Sequence, residues 1–180
     1  MNENSSIYAL DGSTTRRQMI IRAGIGFGSL TLSFVVWGQE ATKEKPATAA
    51  NRKRTSLHQD VELSCAPQRI YDALLDSKQF ATFSGQPADI DPKAGGAFSM
   101  FGGMIAGRSV ELISGERIVQ AWRPTHWDAG IYSLVKFELK PQGSGTLVAL
   151  EHKGFPEGDY DSLSQGWTAH YWEPMKKFFA

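Results

Sequence analysis

A glycine-rich stretch from Gly95 to Gly130 most constrains what this 180-residue chain can fold into. It consists of short apolar segments separated by glycines at nearly regular intervals, which is typical of a meandering antiparallel sheet. Within it, Phe98 and Met100 alternate with small residues, and Val110 and Leu112 alternate with polar ones. We therefore expect a sheet with one apolar face, which another part of the chain must cover.

The stretch from Asp159 to Ala180 is predicted to supply that cover as one long helix. Its large apolar residues recur at the spacing of one helical face: Leu163, Trp167, Tyr171, Met175 and Phe178. Pro174 removes one backbone hydrogen bond, so we expect a kink or an interruption in the last turns. The expected fold class is α+β, with a curved antiparallel sheet wrapped around a long C-terminal helix in a helix-grip arrangement.

The residues between the chain's polar beginning and the glycine-rich stretch predict one strand and two short helices. Leu57 to Cys65 alternates like a half-buried strand, with Cys65 on the inner face. Pro67 is suited to the first turn of a helix, and Asp76 is a plausible cap for a second helix. After the glycine-rich stretch, one face of a strand is expected to carry Ile131, Val135, Phe137 and Leu139. A hairpin turn at 142–145 follows.

The chain begins with features of an export signal. Arg16 and Arg17 precede an uncharged apolar run at 23–37 that contains three spaced glycines, which resembles a twin-arginine signal. We expect cleavage near Gly38, a disordered linker at 39–56, and a folded domain at 57–180. The expected location is periplasmic or otherwise extracytoplasmic. The alternative is a membrane tether through an uncleaved signal, although the run is shorter than the ~20 residues that span a bilayer.

Charge and cysteine content exclude several classes of function. Basic residues are concentrated before residue 55, which leaves the expected domain mildly acidic and argues against a nucleic-acid partner. The single cysteine, Cys65, allows neither an intramolecular disulfide nor a cysteine metal cluster. The paired glycines at 95–96 and 102–103 lack the following lysine of a phosphate loop. The sequence implies no cofactor and no metal site.

The aromatic residues are numerous enough to form both a core and a ligand pocket. Phe98, Trp122 and Trp167 are expected in the core. The remaining candidates either line a pocket or pack in the core: Phe80, Phe83, Phe101, Trp127, Tyr132, Tyr171 and Trp172. Arg123 either anchors a ligand carboxylate or pairs with Glu111.

Histidines offer the only candidates for catalysis. His126 lies in a predicted loop, and His170 precedes Glu173 by three residues on the closing helix. A histidine–carboxylate pair can perform general acid–base chemistry, but no third ligand for zinc is identifiable. His152, next to Glu151, is equally open to a structural interpretation.

Several spaced motifs resemble a known family. They are Gly95-Gly96-x-Phe98, Met100-Phe101-x-Gly103, Trp122-Arg123, Gly130-x-Tyr132, Gly154-x-Pro156, Gly166-Trp167 and Tyr171-Trp172-Glu173-Pro174. From Asp60 to Ala180 the chain is similar to the activator of heat-shock protein 90 ATPase homologue family, in the START-like (SRPBCC) superfamily. The resemblance implies a helix-grip fold with a cavity between sheet and C-terminal helix. The eukaryotic namesake stimulates the chaperone's ATPase with the help of an additional N-terminal domain, whereas this chain resembles the single-domain bacterial members.

Three hypotheses for function follow. The first is an exported, non-catalytic domain that binds a small hydrophobic ligand or a protein partner, and touches the membrane only transiently through its signal. The second is a cyclase or hydrolase, as found elsewhere in the superfamily, that uses His126 or His170. The third is a chaperone-regulating interaction domain, which requires a cytosolic location.

Overall fold

The computed structural model describes residues 53–180. The predicted signal at 1–38, with Arg16 and Arg17, lies outside the described residues, as does most of the predicted linker. The described part forms seven strands and a set of helices, which occur in this order: β1 (Ser56–Leu63), α1 (Pro67–Leu75), α2 (Ser77–Ser84), β2 (Asp89–Ile90), β3 (Ala97–Met100), β4 (Ile105–Ile113), β5 (Arg117–Pro124), β6 (Ser133–Gln142), β7 (Gly145–Lys153), α3 (Tyr160–Trp167) and α4 (Glu173–Phe178).

The strands form one antiparallel sheet in the order β1-β7-β6-β5-β4-β3-β2. The meander predicted from the glycine-rich stretch accounts for β3, β4 and β5. β1 lies at one edge of the sheet, paired with β7, and β2 lies at the opposite edge. The predicted α+β, helix-grip fold class is confirmed.

The two helices between β1 and β2 begin where the sequence predicts. Pro67 occupies the first turn of α1, where its missing N–H leaves no bond unmade. The Asp76 carboxylate accepts a hydrogen bond from the backbone N–H of Gln79 at 2.8 Å and caps α2. Ile70 and Ala73 of α1 are fully buried against the sheet.

The sheet departs from the predicted alternation at two positions. In β4 a bulge between Ser109 and Glu111 shifts the register, so Ser109 is buried and Val110 is 54% exposed. The prediction that Val110 faces inward is therefore wrong. Ile131 is also exposed, because β6 begins only at Ser133 and Ile131 belongs to the preceding loop.

The closing helix is interrupted, as Pro174 suggested. Thr168–Trp172 forms a π-helical turn between α3 and α4, in which the Glu173 N–H donates to the Thr168 carbonyl. In a regular α-helix a proline lacks the donor for the carbonyl four residues earlier and clashes with it. The wider turn removes this conflict and lets Pro174 enter the first turn of α4.

The core lies between the concave face of the sheet and the helices. Its largest fully buried side chains include Phe80, Phe137, Phe155, Ile118, Leu150 and Met175. Cys65 is buried just beyond β1, and burial raises the pKa of its thiol, as expected for a small core residue. None of the helices between residues 53 and 180 combines the length and apolar character needed to cross a bilayer.

Candidate functional site

An open cleft of about 490 Å³ lies between the closing helix and one end of the sheet. Its walls come from the turn after β3, the start of β4, the end of β5, α3 and the π-helical turn. The lining residues are mostly apolar: Phe101, Met104, Ile105, Trp122, Pro124, His126, Ser162, Leu163, Gln165, Gly166, Trp167, Ala169, His170 and Tyr171. The volume is within the range of small-molecule sites.

A left-handed turn forms one wall of the cleft. Phe101, Gly102 and Gly103 all have positive φ, at 54°, 65° and 95°. Two glycines adopt this conformation readily, whereas Phe101 does so against its steric preference. The turn buries the Phe101 ring between Phe80 and Tyr171, with ring centroids 5.2 and 5.3 Å away. The same turn leaves Met104 58% exposed beside the cleft.

Trp122 contributes to the floor of the cleft from β5. Its ring stacks on Trp167 of α3 at 5.7 Å. Its indole nitrogen is buried and makes no hydrogen bond with any residue from 53 to 180. The other described tryptophans all have paired indole N–H groups: Trp127 with Asp159, Trp167 with His152, and Trp172 with Gln59. An unpaired buried donor is uncommon because its desolvation is not compensated.

Tyr171 approaches the same floor from the π-helical turn. Its hydroxyl donates to the Met100 sulfur at 4.0 Å, which is a weak acceptor. Burial raises the pKa of Tyr171, and the indole N–H of the adjacent Trp122, which lies near the hydroxyl but outside hydrogen-bond geometry, lowers it by less. The phenol therefore remains protonated and keeps a hydrogen to donate.

Behind the floor, a closed hydrogen-bond network links β6, β7 and α3. The Trp167 indole N–H donates to His152 Nδ1 at 3.1 Å, so His152 carries its proton on Nε2. Nε2 lies 2.7 Å from Ser133 Oγ, which in turn donates to the Trp122 carbonyl at 3.0 Å. Burial lowers the pKa of His152 to about 3, so the imidazole is neutral.

The sequence left His152 open between a functional and a structural interpretation, although a signal for its burial existed. It shares the inward parity of β7 with Thr146, Val148 and Leu150, all of which are buried. Its partners come from another strand and from α3, and their proximity depends on the sheet order. Sequence alone could therefore predict that His152 is buried, but not its network.

The predicted ligand-binding aromatics occupy different surroundings. Phe101 and Tyr171 line the cleft. Phe98, Trp122 and Trp167 are buried in the core as predicted, and the two tryptophans also line the cleft. The remaining aromatic candidates do not line it: Phe80, Phe83 and Trp172 are buried in the core, Trp127 is buried at the β5–β6 loop, and Tyr132 is half exposed.

Arg123 does not pair with Glu111. Its guanidinium donates to the Trp127 carbonyl at 3.1 Å and lies 5.8 Å from the Tyr132 ring. Glu111 instead pairs with Arg117 at the other end of β5. Because neighbouring residues of a strand face opposite sides of a sheet, Arg123 points away from Trp122 and the cleft.

The histidine candidates lie at the exposed edge of the cleft. His126 and His170 both line it and are both exposed, and neither bonds a carboxylate within residues 53–180. Glu173, the expected partner of His170, instead pairs with Lys176 at 3.4 Å. In the same part of the chain, no three histidine, cysteine or acidic side chains converge on a possible metal position. The described geometry contains no assembled acid–base pair at the cleft.

The curved seven-stranded sheet closed by a C-terminal helix defines a START-like domain of the helix-grip type. Residues 64–180 match the family described as activator of Hsp90 ATPase homolog 1-like protein, and the chain belongs to this family.

Relatives with this description are found in distant organisms. The chain is 28% identical over 152 residues to an activator of 90 kDa heat shock protein ATPase homolog from Dictyostelium discoideum, covering 84% of the chain and 38% of the relative. It is 25% identical over 114 residues to homolog 1 from Homo sapiens, covering 63% of the chain and 34% of the relative. The chain thus spans little more than a third of the length of these relatives.

A solved structure shows the same architecture. An HSP90 activator from Plasmodium falciparum superposes with a TM-score of 0.66 at 26% identity, covering 69% of this chain and 96% of that one. The likeness supports the fold class and the family on independent grounds.

Proposed function

We propose that this domain binds a small, mainly apolar molecule in the cleft between its closing helix and β4–β5, without transforming it. The observation that carries the proposal is the cleft itself, which has an open mouth, an aromatic floor and a volume of about 490 Å³. Apolar lining with a few polar groups is the usual composition of a small-molecule site.

Binding is favoured over catalysis by the state of the histidines. His126 and His170 are exposed and lack an orienting carboxylate among the described residues. General acid–base catalysis needs a group held within reach of the reacting proton. His152 has both ring nitrogens engaged by Trp167 and Ser133, so it has no free nitrogen to offer a substrate.

Gly166 allows a direct test of the cleft. It lines the cleft on α3, and a Cβ at this position would meet no atom within 4 Å. Leucine here should therefore fill the cleft without disturbing the backbone. We expect Gly166→Leu to weaken the binding of the neutral fluorescent probe N-phenyl-1-naphthylamine by about tenfold or more, which corresponds to roughly 1.4 kcal/mol.

The matched control is Lys78→Leu, which adds the same side chain at an exposed position of α2, outside the cleft. Equal probe affinity in the wild type, Gly166→Leu and Lys78→Leu proteins would contradict binding in the cleft. If the wild-type protein does not change the fluorescence of the probe, the proposal that the cleft binds small apolar molecules is wrong.

A protein partner is the second candidate, and the relatives' descriptions as activators of a heat shock protein ATPase favour it. The chain spans about a third of the length of the curated relatives, so their activity does not pass to it directly. The test is the ATPase rate of the host's own purified heat-shock protein 90 with and without this domain. An increase that survives Gly166→Leu would favour the protein partner over the cleft ligand.

We also propose export through residues 1–38, followed by a linker at 39–56 and the domain at 57–180. The support is the Arg16-Arg17 pair before an uncharged run. A reporter fusion should be exported with the natural sequence and retained in the cytoplasm with Arg16→Lys and Arg17→Lys together. Export of both fusions would contradict the twin-arginine signal. Retention of both would favour the chaperone-related role.

A further inference from the structure

We propose that the cleft ligand is a ring compound with an uncharged carbonyl oxygen, which accepts a hydrogen bond from the Tyr171 hydroxyl with the Trp122 indole N–H behind it. This inference rests on the proposed function, because it assigns the chemistry of a ligand in that cleft. It is carried by the polar groups at the floor and by the absence of charge from the lining.

The floor of the cleft contains a buried hydrogen-bond donor without a partner among the described residues. Of the four tryptophans that the structure describes, only Trp122 has an indole N–H without a hydrogen-bond partner. The nitrogen is buried, so water does not satisfy it at the surface. A buried donor without an acceptor costs free energy, and a bound acceptor would recover it.

A tyrosine hydroxyl with a weak acceptor lies beside this donor. Tyr171 lines the cleft, and its O–H has only the Met100 sulfur as an acceptor, at 4.0 Å. If this hydrogen turns to an oxygen in the cleft, the lone pairs of the Tyr171 oxygen remain available to accept from the Trp122 indole N–H. The two donors then form a chain that ends on the ligand, and each bond in such a chain polarises the next.

The lining of the cleft lacks the charged side chains that would hold an ionic ligand. The fourteen lining residues include no lysine, arginine, aspartate or glutamate. A carboxylate at the floor would be buried without a cation, which costs far more than burying a neutral carbonyl. The two histidines of the lining, His126 and His170, are at the exposed edge rather than at the floor. An uncharged carbonyl therefore fits the floor better than an acid.

The apolar part of the cleft is largely aromatic. The floor and walls present the rings of Trp122, Trp167, Phe101 and Tyr171. Aromatic rings pair favourably with other rings in stacked or edge-to-face geometry. A ring system is thus the apolar body that this lining suits best.

The test compares 1-tetralone with tetralin, which share a ring skeleton and differ by the carbonyl oxygen. Binding to the full-length chain is measured by isothermal titration calorimetry. We expect the ketone to bind about threefold to tenfold more tightly, as one neutral hydrogen bond provides. Tyr171→Phe should remove this preference, so that 1-tetralone and tetralin bind the variant with equal affinity. Tyr132→Phe, outside the cleft, is the matched control and should keep the preference.

A second measurement uses the wild-type protein alone. In a proton–nitrogen spectrum, the Trp122 indole resonance should shift with 1-tetralone more than with tetralin. The Trp167 indole, already bonded to His152, should show no such difference between the two probes. This measurement decides the question if Tyr171→Phe does not fold.

The outcomes separate the two proposals. Equal affinity for the two probes, unchanged by Tyr171→Phe, overturns the carbonyl inference and leaves a general apolar site. A Trp122 resonance that responds identically to both probes overturns it as well. If neither probe binds, both the proposed function and this inference fail.

Discussion

Two polar clusters share one aromatic interior, and they differ in how completely their hydrogen bonds are made. Behind Trp167, His152 and Ser133 form a closed network in which every described donor has an acceptor. In front of Trp167, Trp122 has an unpaired indole N–H, and Tyr171 has only a sulfur acceptor. The closed cluster holds the sheet to the helix, whereas the open one faces the cleft. The difference indicates which part of the interior is structural and which part is available to a ligand.

The largest expected effect comes from breaking the closed cluster. His152→Ala removes a fully buried ring and leaves the Trp167 N–H without its acceptor. We expect a loss of about 3–5 kcal/mol in the free energy of unfolding, measured by urea denaturation. His58→Ala, on the exposed part of β1, is the control and should change it by less than about 0.5 kcal/mol. A similar small change for both variants would show that the His152 network adds no stability.

The second-largest effect is a dependence of the free energy of unfolding on pH, caused by His152 in the closed cluster. The pKa of His152 is lowered to about 3 by burial, against 6.5 in the unfolded chain. As the pH falls, His152 therefore takes up a proton in the unfolded state before it does so in the folded state. The contribution of the neutral His152 to the free energy of unfolding is complete above pH 6.5 and is lost as the pH falls toward 3. Between pH 6.5 and pH 5 we expect a loss of roughly 2 kcal/mol in the free energy of unfolding.

This pH window is chosen to isolate the histidine. Hydrogen bonds from lysines lower the pKa of Glu138 and Glu151, and these carboxylates add their own loss only at lower pH. The loss between pH 6.5 and pH 5 should disappear in His152→Gln. If it persists in that variant, another group causes it.

A smaller effect is expected on the cleft side of Trp167, where a substitution should stabilise the protein. Gly166 is helical and has space for a Cβ, so Gly166→Ala should raise the free energy of unfolding by about 0.5–1 kcal/mol. The contrasting variant is Gly107→Ala in β4, whose Cβ would collide with the Phe98 ring and the Ala121 carbonyl. Thermal denaturation of both variants measures the difference. Destabilisation by Gly166→Ala would mean that the cleft side of α3 is tightly packed.

The smallest expected effect on the stability of the protein comes from a substitution in the open cluster, which consists of Trp122 and Tyr171. Tyr171→Phe removes a hydroxyl whose acceptor is a sulfur at 4.0 Å, and it retains the ring packing. We expect a change within about 0.5 kcal/mol in the free energy of unfolding without ligand. A loss of 2 kcal/mol or more by urea denaturation would show that the hydroxyl is structural, and would remove the contrast between the two clusters.

The sequence predicted the elements whose cause is local. Pro67 and Asp76 mark helix starts through backbone chemistry, and the turn at 143–144 joins β6 to β7 as the glycines suggested. The bulge at Val110 was not predictable, because an alternating pattern does not reveal where one extra residue enters a ladder. Local periodicity indicates which side of an element is buried, but it does not show where a β-bulge shifts the register of a strand.

The candidate site was predictable only in part, for a related reason. Aromatic residue type does not distinguish Phe80 in the core from Phe101 on the cleft wall. That distinction depends on the left-handed turn that follows β3 and on where α3 crosses the sheet. Likewise, the Trp122 indole N–H lacks a partner because the described part of the fold brings no acceptor into hydrogen-bond geometry with it. A sequence pattern does not show which acceptors the fold will bring near a given donor.

The π-helical turn before Pro174 has a consequence for the rotational phase of the closing helix. It accommodates one surplus residue, so α4 is rotated by roughly 100° relative to an uninterrupted α-helix. The adjacent Tyr171 and Trp172 are both buried, because protein packs against the helix on two sides at this point. Tyr171 can thus reach the cleft while Trp172 bonds Gln59 of the first strand. Deleting one residue from this turn would force the helix to give up one of these two contacts.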